Sequence, residues 1–282
     1  MTPGDVDEHA PHVRGHERLA YEKLTSDWDE RERSLLPLTA FEHHGEIDST
    51  STRLLDRVRS GEGEGFQLVV ADYQTAGRGR RGDRWEASPG TNLLFSFAAP
   101  LGVDATRWTW IPHFAAMAVG RVIESISTSG IRVQAKWPND LLVEDRKICG
   151  ILVETISQSR PHAILGIGLN VNMRDEEFPP LLRGRATSLY ELEGCESSRW
   201  YLLGLVVQLF LREFEGALLD PAPIAEWYGE RDWLRGKEIE IRTMRESHSG
   251  IASGIGDHGE LLLSTRQGVT RSIVSAEEIM LC

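Results

Sequence analysis

Alternating apolar and polar positions along the chain predict a series of β-strands separated by a few amphipathic helices. Apolar runs of strand length, several with a period of two, cover residues 38–47, 66–76, 91–100, 131–137, 141–143, 148–156 and 162–172. Helical spacing of apolar positions covers residues 52–61, 111–127, 198–219 and 222–234. In the 131–137 segment the alternation is strict and predicts one polar strand face that carries Arg132, Gln134 and Lys136.

The two ends of the chain differ from this middle part. Residues 1–37 carry many charges without sustained periodicity, which predicts a polar, loosely ordered extension. Residues 236–282 contain short alternating segments broken by glycines, a pattern typical of a small β-barrel. We therefore expect an N-terminal extension, a main domain over 38–235 and a small C-terminal domain.

Composition and charge narrow the possible functions. The chain has 282 residues, of which 40% are hydrophobic, and a formal net charge of −12. Such an acidic chain is a poor candidate for DNA binding, because sequence-independent affinity for DNA requires many cations. Three cysteines without a Cys-x-x-Cys pair suggest neither a disulfide framework nor a zinc site. No apolar run reaches the length of a membrane span, so we expect a cytoplasmic protein without a membrane partner.

One glycine-rich loop carries a charge opposite to that of the whole chain. Residues 77–82 are Gly-Arg-Gly-Arg-Arg-Gly, and Arg84 and Trp85 follow. The planar guanidinium group matches phosphate oxygens in pairs, which predicts a nucleotide ligand. A dinucleotide fingerprint of this spacing requires a helix to begin at the loop, whereas here Pro89 and Gly90 are followed by a strand. The arginine side chains are therefore expected to hold the phosphate.

Two other known kinds of glycine-rich segment fit this sequence less well. A protein-kinase glycine-rich loop would require V-A-I-K, H-R-D and D-F-G elements, which the sequence lacks. A flexible Arg-Gly segment that binds RNA would have low-complexity surroundings, but this loop joins two apolar strands.

Further motifs make the pattern specific. They are Asp48-Ser49-Thr50-Ser51, residues 74–82, the KWPND sequence of residues 136–140, the RKICGILVE sequence of residues 146–154 and the GIGLN sequence of residues 166–170. In this order they resemble the biotin protein ligase family, from about residue 38 to the C-terminus. The resemblance implies an α+β fold, with a central mixed sheet flanked by helices as in class II aminoacyl-tRNA synthetases, followed by an SH3-like barrel.

The resemblance also implies a reaction and its participants. Biotin would be activated with ATP to biotinyl-5'-AMP and transferred to a lysine of the biotin carboxyl carrier protein or domain of acetyl-CoA carboxylase. ATP and Mg²⁺ would be co-substrates, with no tightly bound prosthetic group. A homodimer is compatible with the sheet edges of such a fold. Because residues 1–37 are too few for a winged helix, a monofunctional ligase that binds no DNA is expected.

By the same resemblance, each motif supplies residues to the site. The catalytic residues would be Arg78, Lys136 and Lys147. Biotin would contact Ser49, Thr50, Gln74, Gly77, Arg78, Lys147, Gly150 and Gly168. The adenylate would contact Arg78, Arg80, Arg81, Trp85 and Asn170. Asp140 would either bind Mg²⁺ or orient Lys136.

Several of these residues also have a purely structural interpretation. Ser49 and Thr50 could cap the helix that follows, and Trp85 could pack in the core. Cys149 is expected to be a small packed residue rather than a covalent nucleophile. Ser51 stands where the family usually has asparagine. Ser253 stands where some relatives have an arginine near the adenylate, which weakens the expected role of the C-terminal domain in ATP binding.

Two alternative functions remain open at this point. A lipoate ligase of similar fold would activate a different acid, although the arginine loop and KWPND favour biotin. A non-catalytic biotin or adenylate sensor would keep the fold without activity, and Arg78, Lys136 and Lys147 argue against it.

Overall fold

The structure is a computed structural model that describes residues 18–26, 38–62, 64–244 and 246–282. Most of the predicted extension, residues 1–37, therefore lies outside the described residues. The helices are α1 (Arg18–Leu24), α2 (Thr50–Arg59), α3 (Ile111–Ile126), α4 (Leu189–Glu193), α5 (Arg199–Leu219) and α6 (Ala222–Arg231). None of these described helices combines the length and apolar character that a membrane span needs.

Twelve strands form two separate sheets in the described part of the chain. They are β1 (Leu38–Ile47), β2 (Phe66–Gln74), β3 (Leu93–Pro100), β4 (Gln134–Lys136), β5 (Asp140–Val143), β6 (Arg146–Ile156), β7 (His162–Leu169), β8 (Glu238–Arg242), β9 (Ser247–Ile255), β10 (Leu261–Ser264), β11 (Thr270–Ile273) and β12 (Glu278–Leu281).

The larger sheet has the strand order β1-β2-β3-β7-β6-β5-β4. Only β1 and β2 pair in parallel among its described strands, so the sheet is mixed, and the predicted fold class is confirmed. One face is covered by α2, which buries Leu54, Leu55 and Val58 against β2, β3 and β7. The opposite face packs on α3 and α5, where the Phe114 and Phe210 rings lie 5.2 Å apart. The sheet is thus held between two apolar layers.

Strand β4 is shorter than the sequence predicts. The alternation indicates a strand over 131–137, but only Gln134–Lys136 pair with β5. The backbone N–H of Ile131 donates instead to Ser127 Oγ at 2.9 Å, and that of Val133 donates to Glu124 Oε1 at 3.0 Å. Side chains near the end of α3 therefore replace strand partners before β4 begins.

Helix α6 also ends earlier than predicted, at Arg231 rather than residue 234. The chain leaves the helix because Asp232 forms a β-bridge with Ala135, and the N–H of Trp233 donates to the carbonyl of Ala135 at 2.9 Å. This segment covers the outer edge of β4.

The C-terminal sheet is antiparallel, with the order β11-β10-β9-β8-β12. It has the five strands of an SH3-like unit, although β11 and β12 do not pair to close a barrel in the described residues. Its turn at Gly259 is fixed to the main domain, because the Gly259 carbonyl accepts hydrogen bonds from His113 Nε2 at 2.8 Å and Trp137 Nε1 at 3.1 Å. Burial lowers the pKa of His113 to about 4, so the imidazole is neutral at pH 7. This turn therefore joins the C-terminal unit to α3 and to the KWPND segment of the main domain.

Candidate active site

A cavity of about 240 Å³ opens between the glycine-rich loop and the large sheet. Most of the residues predicted from the sequence line it, although they come from five separate segments. They are Ser49, Thr50, Gln74, Arg78, Arg80, Arg81, Trp85, Lys136, Asp140, Lys147, Gly150 and Gly168. Of the predicted set, Gly77 and Asn170 lie outside the described lining of this cavity.

The glycine-rich loop joins β2 to β3 without starting an α-helix, as the sequence predicts. It closes on itself, because the Trp85 N–H donates to the Gly77 carbonyl at 3.0 Å and the Gly79 N–H donates to the Asp83 carbonyl at 2.7 Å. A Cβ atom at Gly77 would lie 2.7 Å from the Trp85 carbonyl oxygen. Gly77 is thus required by the close approach of the backbone, which accounts for it without a ligand contact.

Arginine side chains of this loop are bound by protein acceptors. Arg78 forms two hydrogen bonds to Glu154, at 2.8 and 2.9 Å. Arg80 lies 3.5 Å from both Asn139 Oδ1 and the Ala276 carbonyl, and Arg81 also donates to that carbonyl. Burial, followed by repulsion from Arg81, lowers the pKa of Arg80. All three arginines line the cavity, and the charge of Arg78 is paired with Glu154.

The C-terminal unit reaches the cavity by a route that the sequence did not indicate. Ser253, where some relatives have an arginine, bonds to Ser264 Oγ at 2.6 Å and is not part of the described cavity lining. Instead, residues 276–279, just before and within β12, line the cavity, and the Ala276 carbonyl accepts from the arginine loop. The C-terminal unit thus contributes the Ala276 carbonyl and three further lining residues to the site.

Two glycines on neighbouring strands form a flat floor under the loop. Gly150 on β6 and Gly168 on β7 are register partners. A Cβ atom at Gly168 would lie 2.4 Å from the Trp85 indole, and one at Gly150 would lie 2.7 Å from it. The sequence predicted that these glycines leave room for a ligand. In this structure the room is occupied by Trp85, so the indole packs on the site and not in the apolar core.

The two site lysines are held by different partners. Lys147 Nζ lies 2.7 Å from Asp140 Oδ1. Lys136 is the register partner of Asp140 in the β4–β5 ladder, and its Nζ lies 5.0 Å from the centre of the Trp233 ring. Asp140 therefore binds Lys147 directly, whereas its predicted orienting role concerned Lys136.

A chain of hydroxyl groups borders the cavity, where Thr50, Ser51 and Gln74 are lining residues. The side-chain Oε1 of Gln74 accepts from the Thr50 N–H at 2.8 Å and from Thr50 Oγ1 at 3.1 Å. Thr50 Oγ1 also lies 2.7 Å from Ser96 Oγ, which in turn lies 2.9 Å from Ser51 Oγ. Ser49 is the N-cap of α2, with its Oγ accepting from the Thr52 N–H at 3.4 Å. Ser49 thus has the capping role while also lining the cavity.

Sequence reasoning missed Ser96 and gave Ser51 no role in the site. Both are buried beside Gly166, where a Cβ atom would lie 2.4 Å from Ser51 Oγ. The sequence did contain one signal for this cluster: Ser96 is a hydroxyl residue within the otherwise apolar strand LLFSFAAP.

Comparisons with known proteins agree with this geometry. The model of the Biotin/lipoate A/B protein ligase family matches residues 45–172. The bifunctional ligase/repressor BirA of Bacillus subtilis is 32% identical over 83% of this chain and 72% of its own. The biotin--[acetyl-CoA-carboxylase] ligase of Mycobacterium tuberculosis is 31% identical, over 82% of this chain and 85% of its own. This chain belongs to the biotin protein ligase family.

A solved structure supports the same assignment at the level of the fold. The biotin protein ligase from Aquifex aeolicus, in complex with biotin and ATP, superposes with a TM-score of 0.72 and 27% identity. The match covers 87% of this chain and 99% of the Aquifex chain. It therefore includes both the main domain and the C-terminal unit.

In this biotin protein ligase, Asn170 is engaged within the protein. Its Nδ2 donates to the Thr187 carbonyl at 3.0 Å, and its Oδ1 accepts from Asn92 Nδ2 at 3.1 Å. Asn170 is 3% exposed and lies one residue beyond β7. Its amide is thus used to join loops, and reading of the adenine edge by Asn170 stays a prediction.

Cys149 of the ligase is buried on β6, two residues after Lys147. Burial raises the pKa of its thiol well above the ordinary range, so the thiolate is absent at neutral pH. This environment suits a packed core residue.

Proposed function

We propose that this chain activates biotin with ATP to biotinyl-5'-AMP and then transfers biotin to a lysine of a biotin carboxyl carrier protein or domain. One observation carries the proposal: five cationic side chains of three segments converge on the cavity that also holds the Thr50–Gln74 hydrogen bonds. They are Arg78, Arg80, Arg81, Lys136 and Lys147. Cationic and uncharged polar side chains in one cavity suit a ligand with an anhydride phosphate and a ureido ring.

In the first step, the biotin carboxylate attacks the α-phosphorus of ATP and pyrophosphate leaves with the bond electrons. Two unit negative charges at 4 Å repel by about 4 kcal/mol at an effective dielectric constant of 20. Arg78 and Lys147 supply fixed positive charges at the cavity, which reduce this repulsion. Their main contribution is electrostatic and positional, since the enzyme supplies no nucleophile.

In the second step, the amine of the acceptor lysine attacks the acyl carbon of the mixed anhydride. The new amide forms as the bond to the phosphate oxygen breaks, AMP leaves, and the amine loses its proton. The buried Cys149 thiol is not needed, because the acceptor amine is itself the nucleophile.

Mg²⁺ is proposed as an ion that arrives with ATP. Mg²⁺ is usually held by substrate phosphates and one or two carboxylates, and no cluster of three metal-binding side chains occurs among the described residues. Asp140 lines the cavity and would be one carboxylate ligand. The bound ion would neutralise phosphate charge, in addition to the charge that Lys147 and Arg78 provide.

The carrier of acetyl-CoA carboxylase is the proposed acceptor, as in the name of the Mycobacterium tuberculosis relative. Cytoplasmic location is proposed from three free cysteines, two of them exposed. A homodimer and the absence of DNA binding also stay proposals.

The function is tested by pyrophosphate release from ATP with biotin, lipoate or no acid, followed by mass spectrometry of an apo-carrier domain. Release with biotin and a mass increase on one carrier lysine are expected. Release with lipoate alone would identify a lipoate ligase, and biotin binding without pyrophosphate release would identify a sensor.

Replacing Arg80 with glycine is expected to release biotinyl-5'-AMP about ten-fold faster, because a charged hydrogen bond contributes roughly 1.5–3 kcal/mol. The half-buried guanidinium of Arg80 lies between Asn139 and Ala276 at the cavity and would retain the phosphate. Single-turnover trapping of free adenylate measures the change. Arg266→Gly, in an exposed turn of the C-terminal sheet, is the control, and equal leakage from both variants would contradict this role.

A further inference from the structure

An indole ring lies against each of the two site lysines. Lys147 Nζ is 5.6 Å from the centre of the Trp85 ring and is also paired with Asp140 at 2.7 Å. Lys136 Nζ is 5.0 Å from the centre of the Trp233 ring. No carboxylate of the described residues lies within ion-pair distance of Lys136. Its ammonium group therefore has an aromatic partner where Lys147 has a charged one as well.

Trp233 is fixed in place by both its backbone and its side chain. Its N–H donates to the carbonyl of Ala135, the residue before Lys136 on β4, at 2.9 Å. Its indole Nε1 donates to Asp145 Oδ1 at 2.5 Å. Asp145 lies in the tight turn between β5 and β6, with a φ of 61°. The indole is thus held between β4 and the hairpin that carries Lys147.

The register of the sheet places Lys136 in line with the rest of the site. Lys136 pairs with Asp140. Asp140 pairs with Gly150, which in turn pairs with Gly168. Directly paired residues of neighbouring strands lie on the same face, so these four residues form one row across β4, β5, β6 and β7. The segment that contains Trp233 covers the outer edge of β4, where this row ends.

We propose that Trp233 is a positioning residue: its indole holds the Lys136 ammonium group at the cavity, where that charge acts on the ATP phosphates. The proposal deepens the proposed function and rests on it for the role of Lys136. A lysine side chain has a flexible four-carbon stem, so an ammonium group without a partner samples many rotamers. An indole face attracts a cation within about 6 Å of the ring centre. Such a contact restricts Lys136 without neutralising its charge, which a carboxylate would do.

A second ammonium group lies against the same ring. Lys237 Nζ, just before β8, is 3.2 Å from the centre of the Trp233 ring. Burial lowers the pKa of Lys237, Asp145 raises it, and repulsion from Lys136 lowers it. The surroundings of the ring are therefore partly shielded from solvent, which strengthens a cation–π contact. Loss of the contact with Lys136 is expected to slow adenylate formation by about three- to ten-fold.

The first measurement detects the contact itself and needs no substrate. Reductive methylation with a carbon-13 label keeps the charge of each lysine and gives each one an NMR signal. The ring current of Trp233 is expected to shift the signal of Lys136, which is assigned by its loss in Lys136→Arg. The signal should return to the ordinary lysine position in Trp233→Leu. An ordinary position in the unchanged chain would overturn the proposal.

The second measurement is single-turnover formation of biotinyl-5'-AMP at saturating biotin and ATP. Trp233→Leu is expected to be about three- to ten-fold slower than the unchanged chain. Trp233→Phe keeps a ring but loses the hydrogen bond to Asp145, and it should recover most of the rate. The control is Trp108→Leu, because Trp108 is also half-buried and donates to the Val103 carbonyl at 3.2 Å, but is not part of the described cavity lining. Its rate is expected to be unchanged.

A double-mutant cycle separates positioning from a general loss of structure. In a Lys136→Met background, Trp233→Leu is expected to cause no further fall in the rate, since the indole has no ammonium group to hold. An equal fall in both backgrounds, or a faster rate in Trp233→Leu, would overturn the proposal. If the unchanged chain formed no adenylate, the proposed function would fail, whereas the NMR signal would still decide whether Trp233 holds Lys136.

Discussion

Replacing Lys147 with methionine is expected to lower the rate of adenylate formation by about 10²–10³-fold, the loss typical when one preorganised electrostatic donor is removed. Lys147 is the second residue of β6. Its Nζ lies 2.7 Å from Asp140 and 5.6 Å from the centre of the Trp85 ring, and these contacts fix the side chain at the cavity. Methionine keeps most of the length and the apolar character of the stem but removes the charge. Repulsion between the attacking carboxylate and the phosphate would then be offset less.

The measurement is single-turnover formation of biotinyl-5'-AMP with saturating biotin and ATP, so that the chemical step is observed apart from binding. Arg146→Met is the matched control, since Arg146 precedes Lys147 on β6 but pairs with Glu144 at 2.9 Å. A fall of less than ten-fold in Lys147→Met, or an equal fall in the control, would contradict the assignment.

The strands were largely predictable because burial imposes a regular pattern on them. β3 and β7 are continuous apolar runs that pair along their length, and the arginine loop lies between β2 and β3 as expected. The length of β4 was overestimated. The alternation over 131–137 does not reveal that Ser127 and Glu124 accept hydrogen bonds from the N–H groups of residues 131 and 133. Such side-chain competition depends on the tertiary structure and leaves no local pattern.

The site was predictable in its members but not in their contacts. The resemblance named Arg78, Lys147 and Trp85, and all three line the cavity. It could not show that Glu154 binds Arg78, since 76 positions separate them in sequence. The contribution of Ala276 was equally hidden, because a backbone carbonyl acts there and any residue type supplies one.

A charged cluster on β1 was also absent from the sequence interpretation. Glu42 is 4% exposed and accepts hydrogen bonds from Arg53 at 2.9 and 3.0 Å and from His44 at 3.0 Å, with Arg57 as a further partner. Burial alone would raise the pKa of Glu42, but the hydrogen bonds from Arg53, His44 and Arg57 outweigh it and lower the pKa to about 2. The cluster ties α2, which begins at the cavity, to the edge of the sheet.

Replacing Glu42 with glutamine is therefore expected to lower the free energy of unfolding by about 2–3 kcal/mol at pH 7, because the lowered pKa of Glu42 corresponds to about that much stabilisation of its charged form. The pKa is depressed in the folded state, so this stabilisation is complete above the ordinary carboxyl pKa of 4.5 and declines as the pH falls toward 2. Urea unfolding at pH 7 and pH 3 gives the free energy of unfolding of the unchanged chain and of Glu42→Gln. The difference between these two free energies should be smaller at pH 3. The control is Glu46→Gln, at an exposed position of the same strand, which should leave the free energy of unfolding unchanged at both pH values. If Glu42→Gln lowered the free energy of unfolding equally at pH 7 and pH 3, Glu42 would act through packing and not through its charge.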